Sequence, residues 1–256
     1  MPVTPIVVGV DGCPSGWVYA CHSADGLTVR VVSDFEAIWN DVVERDATRV
    51  LVDIPIGLPS SSRRVCDAEA RRRLGSRAST VFFAPARGVL DATTHERASA
   101  ANRDATGYGL SIQAWNIVPK IRAVDSLLRA TPRARELVHE SHPELAFAAF
   151  AGQPLVEPKS TSDGRRRRLE LLQDVFPDDD PAAVYRETLD RTLRRDLSRD
   201  DIVDALALTA AARFPLETIP ERPPTDAVGL QMAIHVPRHV GDFPSSILEY
   251  RHNIEK

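Results

Sequence analysis

Four groups of carboxylates stand where apolar sequence gives them little reason to be. Asp11 follows the run Ile6-Val7-Val8-Gly9-Val10 and precedes Gly12, Pro14 and Gly16. Asp53 interrupts Val50-Leu51-Val52 before Ile54 and Pro55. Asp201 and Asp204 lie near the start of a segment, Ser198 to Phe214, that is apolar almost all round beyond its first turn. Glu140 and Glu144 flank His142 and Pro143. A buried carboxylate is costly unless a cation or hydrogen bonds compensate it. Hard oxygen ligands of this kind suit Mg²⁺ or Mn²⁺ rather than zinc. Two such ions roughly 4 Å apart would activate a water and stabilise a leaving oxygen in an in-line displacement at phosphorus.

Each group has a structural reading beside the chemical one. Asp11 could bond the backbone of its following turn. Asp53 could cap a turn or pair with an arginine. Ser198 and Asp201 have capping-box spacing, and Asp200 and Asp201 suit the positive end of a helix. Asp204 lies a turn deeper, i+3 from Asp201 and i+4 from Asp200, so like charges share one face and a cation would relieve them. Glu140 and Glu144 could equally be acids at a helix start.

The elements that must position these residues are readable from periodicity and turn chemistry. Ile6 to Val10, Trp17 to Cys21 and Leu27 to Val32 read as three antiparallel strands, with Asp25-Gly26 as a hairpin signal. Asp34 to Glu44 has helical spacing, and Thr48 to Ile54 reads as a buried strand. Helices are predicted over Arg63 to Leu74, Thr94 to Thr106 and Ser111 to Leu128. A short strand, Leu137 to His142, precedes a helix from Glu144 to Phe150. Gly164 to Val175, Pro181 to Leu197 and Asp201 to Phe214 are the last predicted helices, and Pro215 to Thr225 a proline-rich connection. Val228 to Val236 reads as a final strand. The order predicts an α/β fold with a mixed sheet and helices packed on it. No internal repeat or linker divides the chain. The expectation is one domain over residues 1–256, with a helical insertion over about 60–134 and a tail over about 238–256.

Composition narrows the class. The 256 residues carry 43% hydrophobic side chains and a net charge of −4, which argues against a generic nucleic-acid sponge. Lys120, Lys159 and Lys256 are the three lysines among 32 basic residues. Cys13, Cys21 and Cys66 form no CxxC pair, so neither a disulfide framework nor structural zinc is expected. No apolar run is long enough to span a membrane, and the chain enters a strand with no visible signal peptide. A reducing cytoplasm is the expected compartment.

Taken together, GVDGCPSGW, LVDIPIGLP, the run from Arg64 to Gly75, SIQAWNIVPKI, ESHPE and the DxxDALALTAAAR helix resemble the Domain of Unknown Function 429 family. That family is described as predicted nucleases of the ribonuclease H-like fold. The resemblance extends from about Ile6 to Met232. It implies a three-layer fold whose five-stranded mixed sheet has three antiparallel N-terminal strands plus parallel strands. The late helix also resembles that of Holliday-junction resolvases, where acids on the first strand, at the end of the fourth and on the last helix bind metals. Carried over, those positions are Asp11, Asp53, and Asp201 with Asp204.

The reading that follows is a Mg²⁺- or Mn²⁺-dependent nuclease acting on DNA or RNA and leaving a 3′-hydroxyl. Asp11 would hold both ions, Asp53 and Asp204 one each, and Asp201 or Glu140 would complete a shell. Arg63, Arg64, Arg71 and Lys120 are candidate contacts to a phosphate backbone; their alternative is a solvated face paired with Asp67 and Glu69. Arg165 to Arg168 reads as a solvated run beside a helix start. Two other functions share the core fold. One is an ATP-dependent phosphotransferase of the actin and sugar-kinase type, disfavoured by the Asp11-Gly12…Gly16 spacing and the lack of a late glycine-rich loop. The other is a nucleic-acid or metabolite-binding module without turnover.

Overall fold

A computed structural model describes residues 4–238; the predicted tail lies outside them except for Arg238. The N-terminal strands are β1 (Val7–Cys13), β2 (Gly16–Ser23) and β3 (Gly26–Val32), antiparallel in sequence. Helix α1 (Phe35–Glu44) is capped by Asp34, whose side chain accepts from Ala37 N, and leads into β4 (Arg49–Val52). Helices α2 (Val65–Leu74), α3 (His95–Thr106), α4 (Ile112–Ala130) and α5 (Pro132–Leu137) intervene before β5 (Val138–Glu140). Then come α6 (Pro143–Ala151), α7 (Ser162–Val175), α8 (Pro181–Arg191) and α9 (Arg199–Ala212). The five strands order as β3-β2-β1-β4-β5, with β4 parallel to both neighbours. This is the mixed five-stranded sheet flanked by helices that the sequence predicts.

The strands alternate in the faces they present. Val8, Val10, Val50, Val52 and Val138 pack with Phe35, Ile38 and Val42 of α1 and Ile121, Val124 and Leu128 of α4. Val7 and Leu51, of opposite parity, pack on Leu208, Ala211 and Ala212 of α9. Gly9 decides how close α9 comes. A Cβ there would lie 2.2 Å from Thr209 N and 2.4 Å from the Ala205 carbonyl oxygen. Only glycine lets the α9 backbone rest directly on β1, where Thr209 Oγ1 also donates to Ala20 O at 3.0 Å.

The structure departs from the sequence expectation in five places. The final strand expected over Val228 to Val236 is a strand only from Ile234, and helix α5 takes in Leu137, where the sequence reads as the start of a strand. β1 runs on through Asp11 to Cys13, because Asp11 pairs with Val18 and Cys13 with Gly16 before the chain turns. α8 stops at Arg191, since Thr192 is already extended. The proline-rich connection contains β6 (Leu216–Ile219), which pairs antiparallel with β7 (Ile234–Pro237) in a separate two-stranded sheet. Flanking Pro215 and Pro220 hide so short a strand from pattern reading. Among the described residues no helix is long and apolar enough to cross a membrane.

Candidate functional site

Sheet register brings two of the predicted acids together. The β1–β4 ladder ends at Val10↔Val52, and Asp53 N still donates to Val10 O at 3.0 Å. Asp11 and Asp53 therefore follow as neighbours just past the parallel pairing, with the parity of Gly9 and Leu51, which is the α9 face. α9 supplies the third. Asp204 immediately precedes Ala205, whose carbonyl faces Gly9, and it is 1% exposed. The close approach over Gly9 is thus what sets Asp204 beside the strand-end aspartates.

The electrostatics report the convergence. Burial holds the Asp11 carboxyl well above the usual carboxylate range, and Asp53, Asp204 and Asp201 push it further. Asp53 is raised by burial and by Asp204 and Glu144, against the pull of His142 and Lys159. Asp201 is raised by burial while its contacts with Ser198 lower it. The compensation is sparse. Asp11 Oδ1 accepts from Gly12 N at 2.7 Å. Asp204 Oδ2 accepts from Lys159 Nζ at 2.5 Å, and its buried Oδ1 has no hydrogen-bond partner. Among the described residues no three His, Cys, Asp or Glu side chains are grouped closely enough to hold a metal ion. Here the Lys159 ammonium stands among the acids instead: burial would lower its pKa, but Asp204, then Asp11 and Asp53, hold it above the ordinary lysine range.

Other predicted site residues belong elsewhere. Glu140 pairs with Val52, one residue before Asp53, so its side chain has the opposite parity and leaves the aspartates. Its Oε2 accepts from Ile56 N at 2.6 Å and from Arg64 Nη1 at 2.7 Å, and its Oε1 accepts from Arg64 Nη2 at 2.7 Å. That corrects the assignment of Glu140 to the metal shell. Arg64 is corrected with it. Its guanidinium is buried, with Asp67, Glu140 and the Ile56 and Gly57 carbonyls on its donors, so none is left for a phosphate. Arg71 Nη1 donates to the carbonyls of Ala78 and Val81, and the residue is half-buried. Asp201 Oδ2 accepts from Ser198 N at 2.9 Å, the capping role, while the residue still adds charge beside Asp11. Arg63 is exposed and stacks 3.8 Å from the Phe83 ring centroid and 3.5 Å from that of Tyr108. Lys120 lies along Gly12, with Nζ 5.6 Å from the Trp17 ring.

A family model described as "Protein of unknown function (DUF429)" matches residues 9–227. The chain belongs to this family. No curated protein and no solved structure matches it. The DUF429 match spans all three clustered aspartates as well as Lys159, Arg64 and Glu140.

Sequence reasoning missed two residues of this DUF429 chain. Lys159 is one; its signal was rarity, a lysine where almost every other cation is arginine. Arg168 is the other. It belongs to a run expected to be solvated, yet it is fully buried. Its Nη2 donates to both oxygens of Glu144 at 2.7 and 2.9 Å, and its Nη1 to Glu157 O at 3.1 Å and Gly164 O at 2.9 Å. Glu144, not Glu140, is thus the acid of ESHPE that acts on the aspartates, since its charge and that of His142 reach Asp53.

Proposed function

We propose that this DUF429 chain is a divalent-metal-dependent nuclease whose centre is Asp11, Asp53 and Asp204, on a ribonuclease H-like fold. One observation carries the reading. A carboxylate buried to 1% exposure keeps an oxygen without a partner, beside two further half-buried aspartates. A buried acceptor without a protein partner is a place where an ion or a water would bind. The donor chemistry suits Mg²⁺ or Mn²⁺, all-oxygen with surplus negative charge, although among the described residues no three of the acids are grouped closely enough to hold an ion as the chain stands. When bound, the metal would supply Lewis-acid polarisation of a phosphodiester and a more acidic water. The chain's own part is to fix the aspartates on a rigid strand edge and to lower the repulsion between them through Lys159. Arg63 and Lys120 are the exposed or half-exposed cations proposed to meet the nucleic-acid backbone. Three free, buried cysteines support a reducing, cytoplasmic setting.

The test is a calorimetric Mn²⁺ titration of the wild type, Asp11→Asn and Asp204→Asn, with and without an oligonucleotide. Cleavage of branched, single-stranded and RNA substrates is followed alongside. Wild-type binding and cleavage that both folded variants lose is the expected result. Binding that survives both changes, or its absence even with oligonucleotide, overturns the assignment.

A further inference from the structure

The helical insertion carries an arrangement that the aspartates do not use. Arg63 lies between two rings, its Cζ 3.8 Å from the Phe83 centroid and 3.5 Å from that of Tyr108. Rings this close on two sides cover the faces of the guanidinium and leave its N–H edge. Among the described residues no acceptor or carboxylate meets that edge, whereas Arg64, the next residue, is buried against Asp67 and Glu140. Tyr108 is 52% exposed although one ring face rests on Arg63, so its other face is open to solvent. Three backbone segments hold this stack in place. Ser62, at φ 60°, is in the left-handed region that a serine adopts only under constraint, and its N donates to Ala105 O at 3.1 Å. Buried Asn102 ties the other two segments together: its Oδ1 accepts from Ala86 N and its Nδ2 donates to Tyr108 O, both at 2.8 Å. Beside Phe83, Ala84 N donates to Asp67 Oδ2 at 2.9 Å. An exposed stack on so constrained a backbone is ordered before any ligand arrives.

We propose that Phe83, Arg63 and Tyr108 form a platform for an unpaired nucleobase, so that the nucleic acid this chain takes is single-stranded. The base lies on the open face of Tyr108, and the adjoining phosphate takes the N–H edge of Arg63. Each half of the ligand fits one half of the platform. An aromatic face accepts any base, because every base has a π-face. A planar fork of donors fits a phosphate in bidentate fashion. A base inside a duplex is already stacked on both sides and cannot lie on a single exposed ring, which selects the unpaired strand. The inference rests on the nuclease reading and names its substrate class, and none of its three residues is one of the clustered aspartates.

The test is fluorescence anisotropy with a labelled oligothymidylate, in EDTA so that neither metal nor cleavage enters. The wild type binds the single strand more tightly than a duplex of equal length. Tyr108→Ala, shown to be folded by circular dichroism, loses about 10-fold in affinity, and Tyr108→Trp keeps it. Arg63→Gln weakens binding and lowers its salt dependence by about one phosphate contact. A further measurement uses the wild type alone: an abasic strand of equal charge binds about 10-fold more weakly than the intact one. Equal affinity for abasic and intact strands, a duplex bound as tightly as the single strand, or full affinity in folded Tyr108→Ala would overturn the inference. So would a wild type that binds no strand, or that instead self-associates through Tyr108 in sedimentation. Binding that depends on Tyr108 without any cleavage once Mn²⁺ is added removes the nuclease reading and leaves the platform standing, so the two failures are told apart.

Discussion

Two clusters of acids and one cation stand at the same edge of the sheet, on opposite faces, and they are built on opposite terms. Around Arg64 every carboxylate oxygen is hydrogen-bonded, although burial still raises Glu140 to about 7 against the pull of Arg64. Asp67 and Glu140 hold the guanidinium on both sides, Ala84 N donates to Asp67 at 2.9 Å, and Ile56 N donates to Glu140. Around Lys159 the charge is left in surplus. Asp11, Asp53, Asp201 and Asp204 share one ammonium, and a buried oxygen goes unpartnered. A single residue of register separates the two, since Glu140 pairs with Val52 and Asp53 comes next. The difference teaches that a buried acid by itself says little about chemistry. Whether its lone pairs are all spoken for separates a brace from a site.

Four experiments would break or sharpen this contrast. The largest effect belongs to the brace. Arg64→Met strands two buried carboxylates and should cost about 3–5 kcal/mol of stability, read from urea unfolding. A loss under 1 kcal/mol would mean the brace is not structural in the sense argued here. Next is Gly9→Ala, which forces α9 off β1 at a backbone-to-backbone contact. Overpacking of this kind costs about 1–3 kcal/mol. It should also abolish Mn²⁺ binding, because Asp204 moves with α9, whereas Arg64→Met in its remaining folded fraction should still bind.

The third effect has the opposite sign. The Asp11 carboxyl is raised in the folded chain, by burial and then by Asp53, Asp204 and Asp201, above its ordinary 3.8. Such a group favours folding fully below the unfolded value, and that contribution is lost as pH rises through the folded one. Metal-free Asp11→Asn should therefore be more stable than the wild type at pH 7, and the gap should close below pH 3.8. Equal stability at both pH values would show that the surplus charge is relieved in some other way. The fourth effect lies outside both clusters. His139 and His235 stack with ring centroids 4.5 Å apart, and burial, with the charges of His235 and Arg49, lowers His139 from 6.5 to about 4. A depressed group gives stability that is full above the unfolded value and lost as pH falls through the folded one. His139→Gln should remove up to about 3 kcal/mol of acid destabilisation between pH 6.5 and 4. Unchanged acid sensitivity in urea titrations would place its origin elsewhere.

The elements that carry a strong local signal were legible in the sequence. The Asp11 hairpin, the VLVD strand and the late apolar helix came from alternation, turn residues and helical spacing. Their convergence did not, because Asp11, Asp53 and Asp204 meet only through register and a glycine contact. Glu140 shows the limit most clearly. Its type and strand-end position match Asp53, and only parity, fixed by pairing, sends it to the other face. Arg168 and Lys159 were missed for a related reason. Charged runs are usually solvated, and nothing local says that Arg168 of such a run will be taken inside by Glu144, or that a lysine outside any run will meet Asp204.

The seat of Gly9 on α9 has a consequence for the order in which the molecule can be made. The strands that bear Asp11 and Asp53 leave the ribosome early, but the helix that covers their face and carries Asp204 begins at Arg199. Until that helix has been synthesised, Val7 and Leu51 lack the side chains of Leu208, Ala211 and Ala212 that bury them. Closing this face of the core and completing the acid cluster are then one event. A nascent or truncated chain that stops short of α9 has neither, so the acid cluster cannot form before that helix has been made.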